Sequence, residues 1–143
     1  MKTVRAVFKN GVFVPLEPCS PPEGCEAVVV FVDEVKRELP AWWSSLNVKE
    51  EKKRALREFV EGVKRRLSPI DVKAVLSDEG LEVFVITDDS ARDLKAVMEE
   101  ALKVYERSSV YLPVQVVSAG RLERWREQGS PVYKQIEEGV SLL

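Results

Sequence analysis

Two periods of hydrophobic and polar residues run along this chain, and they divide it. The first 33 residues alternate with the period of strands. Thr3-Val4-Arg5-Ala6-Val7-Phe8 is followed by the turn Lys9-Asn10-Gly11, then Val12-Phe13-Val14, and a third strand is predicted over Glu26 to Asp33. Asn-Gly supplies the positive φ angles of a tight hairpin turn. The loop between the second and third strands, Pro15 to Gly24, carries four prolines and one glycine, which break a ladder. Three strands in about 32 residues are too few to fold alone and should pack on a partner.

From Asn47 the period changes to that of helices. Asn47 with Glu50 reads as a capping-box start, with Asn in the usual place of Ser or Thr, for a helix running to about Leu67. Leu56, Phe59, Val60, Val63 and Leu67 put one apolar stripe toward a core. Ser68-Pro69 stops it. Two strands, Ile70 to Ser77 and Leu81 to Thr87, are joined by Asp78-Glu79-Gly80, a connection so short that they must be antiparallel neighbours. Asp88, Asp89 and Ser90 offer caps for a second helix, on which Leu94, Val97, Met98, Ala101, Leu102 and Tyr105 are predicted to face the core. A strand over Leu112 to Ser118 then completes a strand-helix-strand unit, which implies parallel pairing with a right-handed crossover. Short helices are expected near Arg121 to Gln128 and Val132 to Glu138, separated by Gly129-Ser130-Pro131.

Composition narrows the functions open to such a chain. At 143 residues, 45% hydrophobic and 32% charged, it can bury a core and is not of the disordered class. Its longest apolar run, Ala27 to Val32, is strand-sized and far short of the roughly 20 residues of a membrane span. No signal peptide is apparent, so a cytoplasmic location is the expectation. A net charge of -2 provides no overall field for a nucleic-acid backbone. With no histidine, the commonest general base and zinc ligand are missing, and catalysis would rest on carboxylate, lysine or cysteine. The abundance of Glu, Lys and Arg is a thermophile bias. Cys19 and Cys25 flank a proline-rich bend and are a candidate disulfide, although free thiols are the rule in the cytosol outside hyperthermophiles.

Residues 34 to 46, EVKRELPAWWSSL, connect the two parts. Trp42 and Trp43 there either anchor the connection by burial or form an exposed hot spot for another protein; the first reading is preferred. On the first long helix, Arg57, Lys64, Arg65 and Arg66 are candidate phosphate contacts. Glu50 with Arg54, and Glu61 with Arg65, are spaced as i,i+4 pairs, which favours a solvated, salt-bridged face instead.

The stretch AVFKNGVFVPLEP with PPEGCEAVVVFV resembles the short β-hairpin antitoxins of archaea and bacteria over residues 1 to about 34. The resemblance implies paired subunits that exchange strands into a small barrel, hence a homodimer. The segment ALREFVEGVKRRLSPIDVKAVLSDEGLEVFVITDD and the ending PVQVVSAGRLERWREQGSPVYKQIEEGVSLL resemble the minimal nucleotidyltransferases of toxin-antitoxin operons. In those enzymes the first strand leads to a Gly-Ser phosphate loop and an Asp-x-Asp magnesium pair. Here Leu76 runs directly into Ser77-Asp78-Glu79-Gly80, and Leu81 begins the next strand. Gly80 and Glu82 fall where the two aspartates would stand, and Gln115 or Val116 near a third carboxylate.

Phosphoryl transfer depends on positioned phosphates and converging carboxylates, so these departures remove its machinery. Asp78, Glu79 and Glu82 are metal-binding candidates only under the alternative of a diverged nucleotidyltransferase. The expectation is an α+β protein: a hairpin or small-barrel module over 1–34, a linker over 35–46, and a degenerate nucleotidyltransferase-like mixed-sheet α/β domain over 47–143. It is expected to lack catalysis and cofactors, to pair with itself through residues 1–34, and to bind a toxin or another protein. A nucleic-acid-binding module is a further alternative; a membrane role is not expected.

Overall fold

Asn10 and Gly11 adopt φ of 52° and 79°, the two positive angles that a two-residue hairpin connection of the type I′ kind requires. They join β1 (Ala6–Lys9) to β2 (Val12–Pro15) in the register Val7 to Val14 and Phe8 to Phe13. The computed structural model describes residues 2–30 and 39–143 and divides the chain into two compact units, Met1–Arg37 and Glu38–Leu143. In the first unit this hairpin is the regular structure among the described residues. The predicted third strand is corrected in part: residues 26–30 form no ladder, because no described strand lies beside them, and residues 31–33 lie outside the described residues.

The second unit is built on a four-stranded sheet in the order β5-β4-β3-β6. α1 (Glu50–Arg66) precedes β3 (Asp71–Ser77) and β4 (Gly80–Thr87), which pair antiparallel through the tight turn at Asp78 and Glu79. α2 (Ser90–Ser108) crosses to β5 (Val114–Ser118), which lies parallel to β4. α3 (Ala119–Glu127) and α4 (Pro131–Glu138) return the chain to β6 (Val140–Ser141), a short strand that pairs antiparallel with β3 and was not expected. Two residues are too few to show a period.

Both faces of the sheet are covered, which explains why β4 reads as a nearly continuous apolar run instead of an alternation. Val72, Ala74, Leu81, Val83 and Val85 pack beneath α1 and α2, with Leu56, Phe59 and Val63 fully buried among them. Phe84, Ile86, Val75 and Val117 face the other way, against Ile136, Leu122 and Trp125 of α3 and α4. The tryptophan pair belongs to the larger core: Trp42 is 6% exposed and Trp43 packs half-buried beside it, ring centroids 5.6 Å apart.

The helix ends follow local chemistry. α1 starts later than Asn47 suggests, with Lys49 at the N-cap and no side-chain cap, so the capping-box expectation is corrected. Glu50 and Glu51 in its first turn and Lys64, Arg65 and Arg66 in its last complement the helix dipole. α2 is capped by Asp89, whose carboxylate accepts from the Arg92 amide at 3.1 Å, and stops at Ser109, a non-glycine residue held at φ 59°.

Candidate functional site

The hairpin is apolar on both of its faces but for Lys9 beside the turn, and its strand residues are exposed. Phe8 and Phe13 form a tilted cross-strand pair on one face, with ring centroids 5.0 Å apart. Val7, Val14 and Val12 occupy the other face by strand alternation. Phe8 is 64% exposed, Val12 57% and Leu16 60%. A soluble hairpin with one wet face would keep polar side chains there. This one is composed like an inner strand pair, and an isolated two-stranded hairpin is marginal in water. Val28 and Val30, 93% and 89% exposed, extend the apolar surface of the same unit. Outside the strands, Leu16 donates its amide to the Arg5 carbonyl at 2.7 Å, and the Arg5 guanidinium lies 3.4 Å from Glu17. Cys19 and Cys25 are exposed and unbonded in this structure.

In the second unit the residues at the altered nucleotidyltransferase positions do not converge. Asp78 and Glu79 are exposed on the β3–β4 turn, where the Glu79 amide is held by Ser77 Oγ at 3.2 Å. Glu82 lies further along β4 and accepts a hydrogen bond from Gln115 of β5. Among the described residues no three His, Cys, Asp or Glu side chains are grouped to hold a metal ion. Gly80, at φ 114°, is the turn glycine that lets β4 begin at once.

Of the basic candidates on α1, Arg57 and Arg66 are engaged in ion pairs. Arg57 is 3.5 Å from Glu61. Arg66 reaches across to α2, 2.8 Å from Glu99 and 3.4 Å from Glu100. The hydrogen bond to Glu99 raises the Arg66 pKa, and the same bond lowers that of Glu99. Lys64 and Arg65 are exposed in the last turn. Trp42 is not available as an exposed hot spot, and Trp43 offers solvent only part of its ring, which Lys53 overlies at 5.7 Å.

One surface escaped sequence reasoning. The predicted core stripe of α2 is only partly buried: Val97 faces the core, whereas Leu94, Met98, Leu102 and Tyr105 are 40–55% exposed. Asp93, Glu100 and Val104 take the buried positions with Val97. Asp93 can do so because Arg92 grips its carboxylate at 3.0 and 3.2 Å; that bond lowers its pKa against the opposing effect of burial. The signal was available in the sequence. The apolar positions of α2 span an arc wider than one core-facing stripe needs.

Residues 1–61 match the AF2212-like family model. The AF2212-like segment is less than half of the 143-residue chain; it takes in the hairpin unit and the second unit only as far as Glu61 within α1, and none of the four-stranded sheet. No curated protein and no solved structure gives a significant match. Among the described residues no helix is long and apolar enough to cross a membrane.

Proposed function

We propose that this chain is a non-catalytic, antitoxin-like protein-binding module, dimeric through residues 1–34, that acts by occluding a toxin or another protein. The observation that carries the proposal is a hairpin apolar on both faces with Phe8, Val12, Phe13 and Leu16 open to solvent. Such a surface is stable in water only when another layer covers it, and a second copy exchanging strands into a small barrel provides one while closing the edges.

The sheet domain supports a scaffold reading. Its antiparallel β3–β4 pair and the β4-α2-β5 crossover agree with the nucleotidyltransferase resemblance, while the carboxylates that would hold magnesium are dispersed or engaged. Light scattering of the full chain at micromolar concentration should report a dimer, and a Phe8→Asp variant should weaken it at least tenfold. A stable monomer would overturn the dimer. Calorimetry with ATP and magnesium should show no heat of binding; a saturating heat lost in Glu82→Gln would return the diverged-enzyme reading.

A further inference from the structure

The exposed apolar stripe of α2 has a definite direction in the sheet domain. Glu100 and Arg107 on one flank of α2 face α1, where they meet Arg66 and Glu58. Leu94, Met98, Leu102 and Tyr105 lie roughly 120° around the helix axis from the buried face, on the flank away from α1. α2 lies over β4 and β5, and β5 is the end strand of the sheet, with no partner on its outer side among the described residues. The stripe therefore overhangs an open sheet edge. Unpaired edges of this kind are templates for strand addition.

We propose that this flank is a self-association surface, on which a second copy of the chain pairs two-fold symmetrically, α2 antiparallel to α2 and β5 edge to β5 edge. Three observations select a second copy over another partner. The stripe is self-complementary when reversed: antiparallel register about Glu100 sets Met98 opposite Leu102 of the other copy and brings Leu94 within one residue of Tyr105. The charges beside it reverse with it. Lys95, 89% exposed and 3.9 Å from Glu99 of its own helix, comes within one residue of Glu106 of the other copy, whereas parallel register would oppose each charge to its own kind.

The third observation is spacing. With strands about 4.8 Å apart, a helix centred over β4 and β5 sits about 5 Å from an axis beside β5, so the two helices would be about 10 Å apart, an ordinary packing distance. The exposed parts of the four stripe residues with Tyr111, which is 71% exposed beside β5, amount to on the order of 1,000 Å² for two copies, the threshold for a specific interface. This surface is in the sheet domain and does not depend on hairpin pairing.

Cross-linking tests it on the full chain, in a Cys19→Ser, Cys25→Ser background. Copies carrying Met98→Cys are mixed with copies carrying Leu102→Cys and oxidised mildly. The mixture should form intermolecular disulfide at least tenfold faster than copies carrying Lys103→Cys, a position on the opposite flank. A rate no greater than that control would overturn the proposal, and is also the result expected if the stripe is covered by the same chain or by a different protein. Charge exchange provides a second reading that leaves the stripe intact. Lys95→Glu and Glu106→Lys should each slow the cross-link severalfold, and the two together should restore it; no restoration would refute the antiparallel register.

Discussion

Gly62 stands in the middle of α1, where glycine costs about 1 kcal/mol relative to alanine, so on helix propensity alone Gly62→Ala should stabilise the protein by that amount. The structure predicts the opposite sign. A β-carbon at Gly62 would collide with the Glu100 carboxylate oxygen Oε2 and stand 2.9 Å from its carboxyl carbon. Glu100 cannot withdraw freely: its side chain is 8% exposed and lies 3.4 Å from Arg66 and 3.2 Å from Lys103. Displacing it loses two charge-assisted contacts worth up to about 1.5–3 kcal/mol each when well shielded. Arg66 and Lys103 are 35% and 52% exposed, so solvent screening discounts the loss to the buried Glu100 carboxylate to about 1–2 kcal/mol in all. Strain in a close-packed helix contact adds about 1 kcal/mol more.

The sum opposes the propensity gain by about 2–3 kcal/mol, leaving Gly62→Ala destabilised by about 1–2 kcal/mol. A double-mutant cycle isolates the cause. Glu100→Ala alone should also destabilise, because it empties the space and frees two cations. In the double variant the new methyl group occupies part of that space, so the pair should be less destabilised than the two single effects summed, with a coupling of about 2 kcal/mol. Urea unfolding followed by far-UV circular dichroism measures all four stabilities. Additive effects, or a Gly62→Ala protein more stable by the full propensity difference, would refute the reasoning.

Two other substitutions test local features of α2. Ser109 ends the helix at φ 59°, a region costly to any residue with a β-carbon, so Ser109→Gly should raise stability by about 0.5–1 kcal/mol in the same assay. Asp93 has a folded pKa held below its ordinary value, chiefly by Arg92. Its contribution is therefore present above the unfolded carboxylate pKa of about 4 and lost as pH falls through the lower folded value. The stability gap between the native chain and Asp93→Asn should be full at neutral pH and shrink in acid; a gap independent of pH would contradict the assignment.

Those elements whose signal is local were legible in the sequence. Asn10-Gly11 announced the hairpin, the three-residue link Asp78-Glu79-Gly80 forced β3 and β4 to be antiparallel, and Asp89 capped α2. What was not legible depends on neighbours distant in sequence. β6 exists because Leu142 donates its amide to the Val72 carbonyl at 2.7 Å, and nothing in Val140-Ser141 alone predicts it. Polar Glu100 is buried while apolar Leu102 is exposed, because Gly62 and Arg66 of α1 make a place for a carboxylate. Period-counting on α2 could not see that pocket, and so it assigned both sides of a wide apolar arc to one core. At the altered nucleotidyltransferase positions the sequence did reveal which carboxylates were present, but only the structure places Glu82 against Gln115.

The boundary of the AF2212-like match yields a last prediction. It ends at residue 61, inside α1, so it crosses from the hairpin unit into the sheet domain. α1 owes its stability to what lies below it: Leu56 and Phe59 are fully buried and Val60 nearly so, against Val72, Val83 and Val85 of strands that come later in the chain. A fragment ending at residue 61 keeps 12 helical residues, Glu50 to Glu61, and removes every one of those strands. Isolated helices shorter than about 12–15 residues are marginal in water, and this one would also expose Leu56 and Phe59. The fragment 1–61 should therefore show hairpin but little helix by circular dichroism, together with stronger self-association than the full chain. Native-like helicity in a monomeric fragment would mean that residues 1–61 fold without the sheet, and that the hairpin and α1 cover one another.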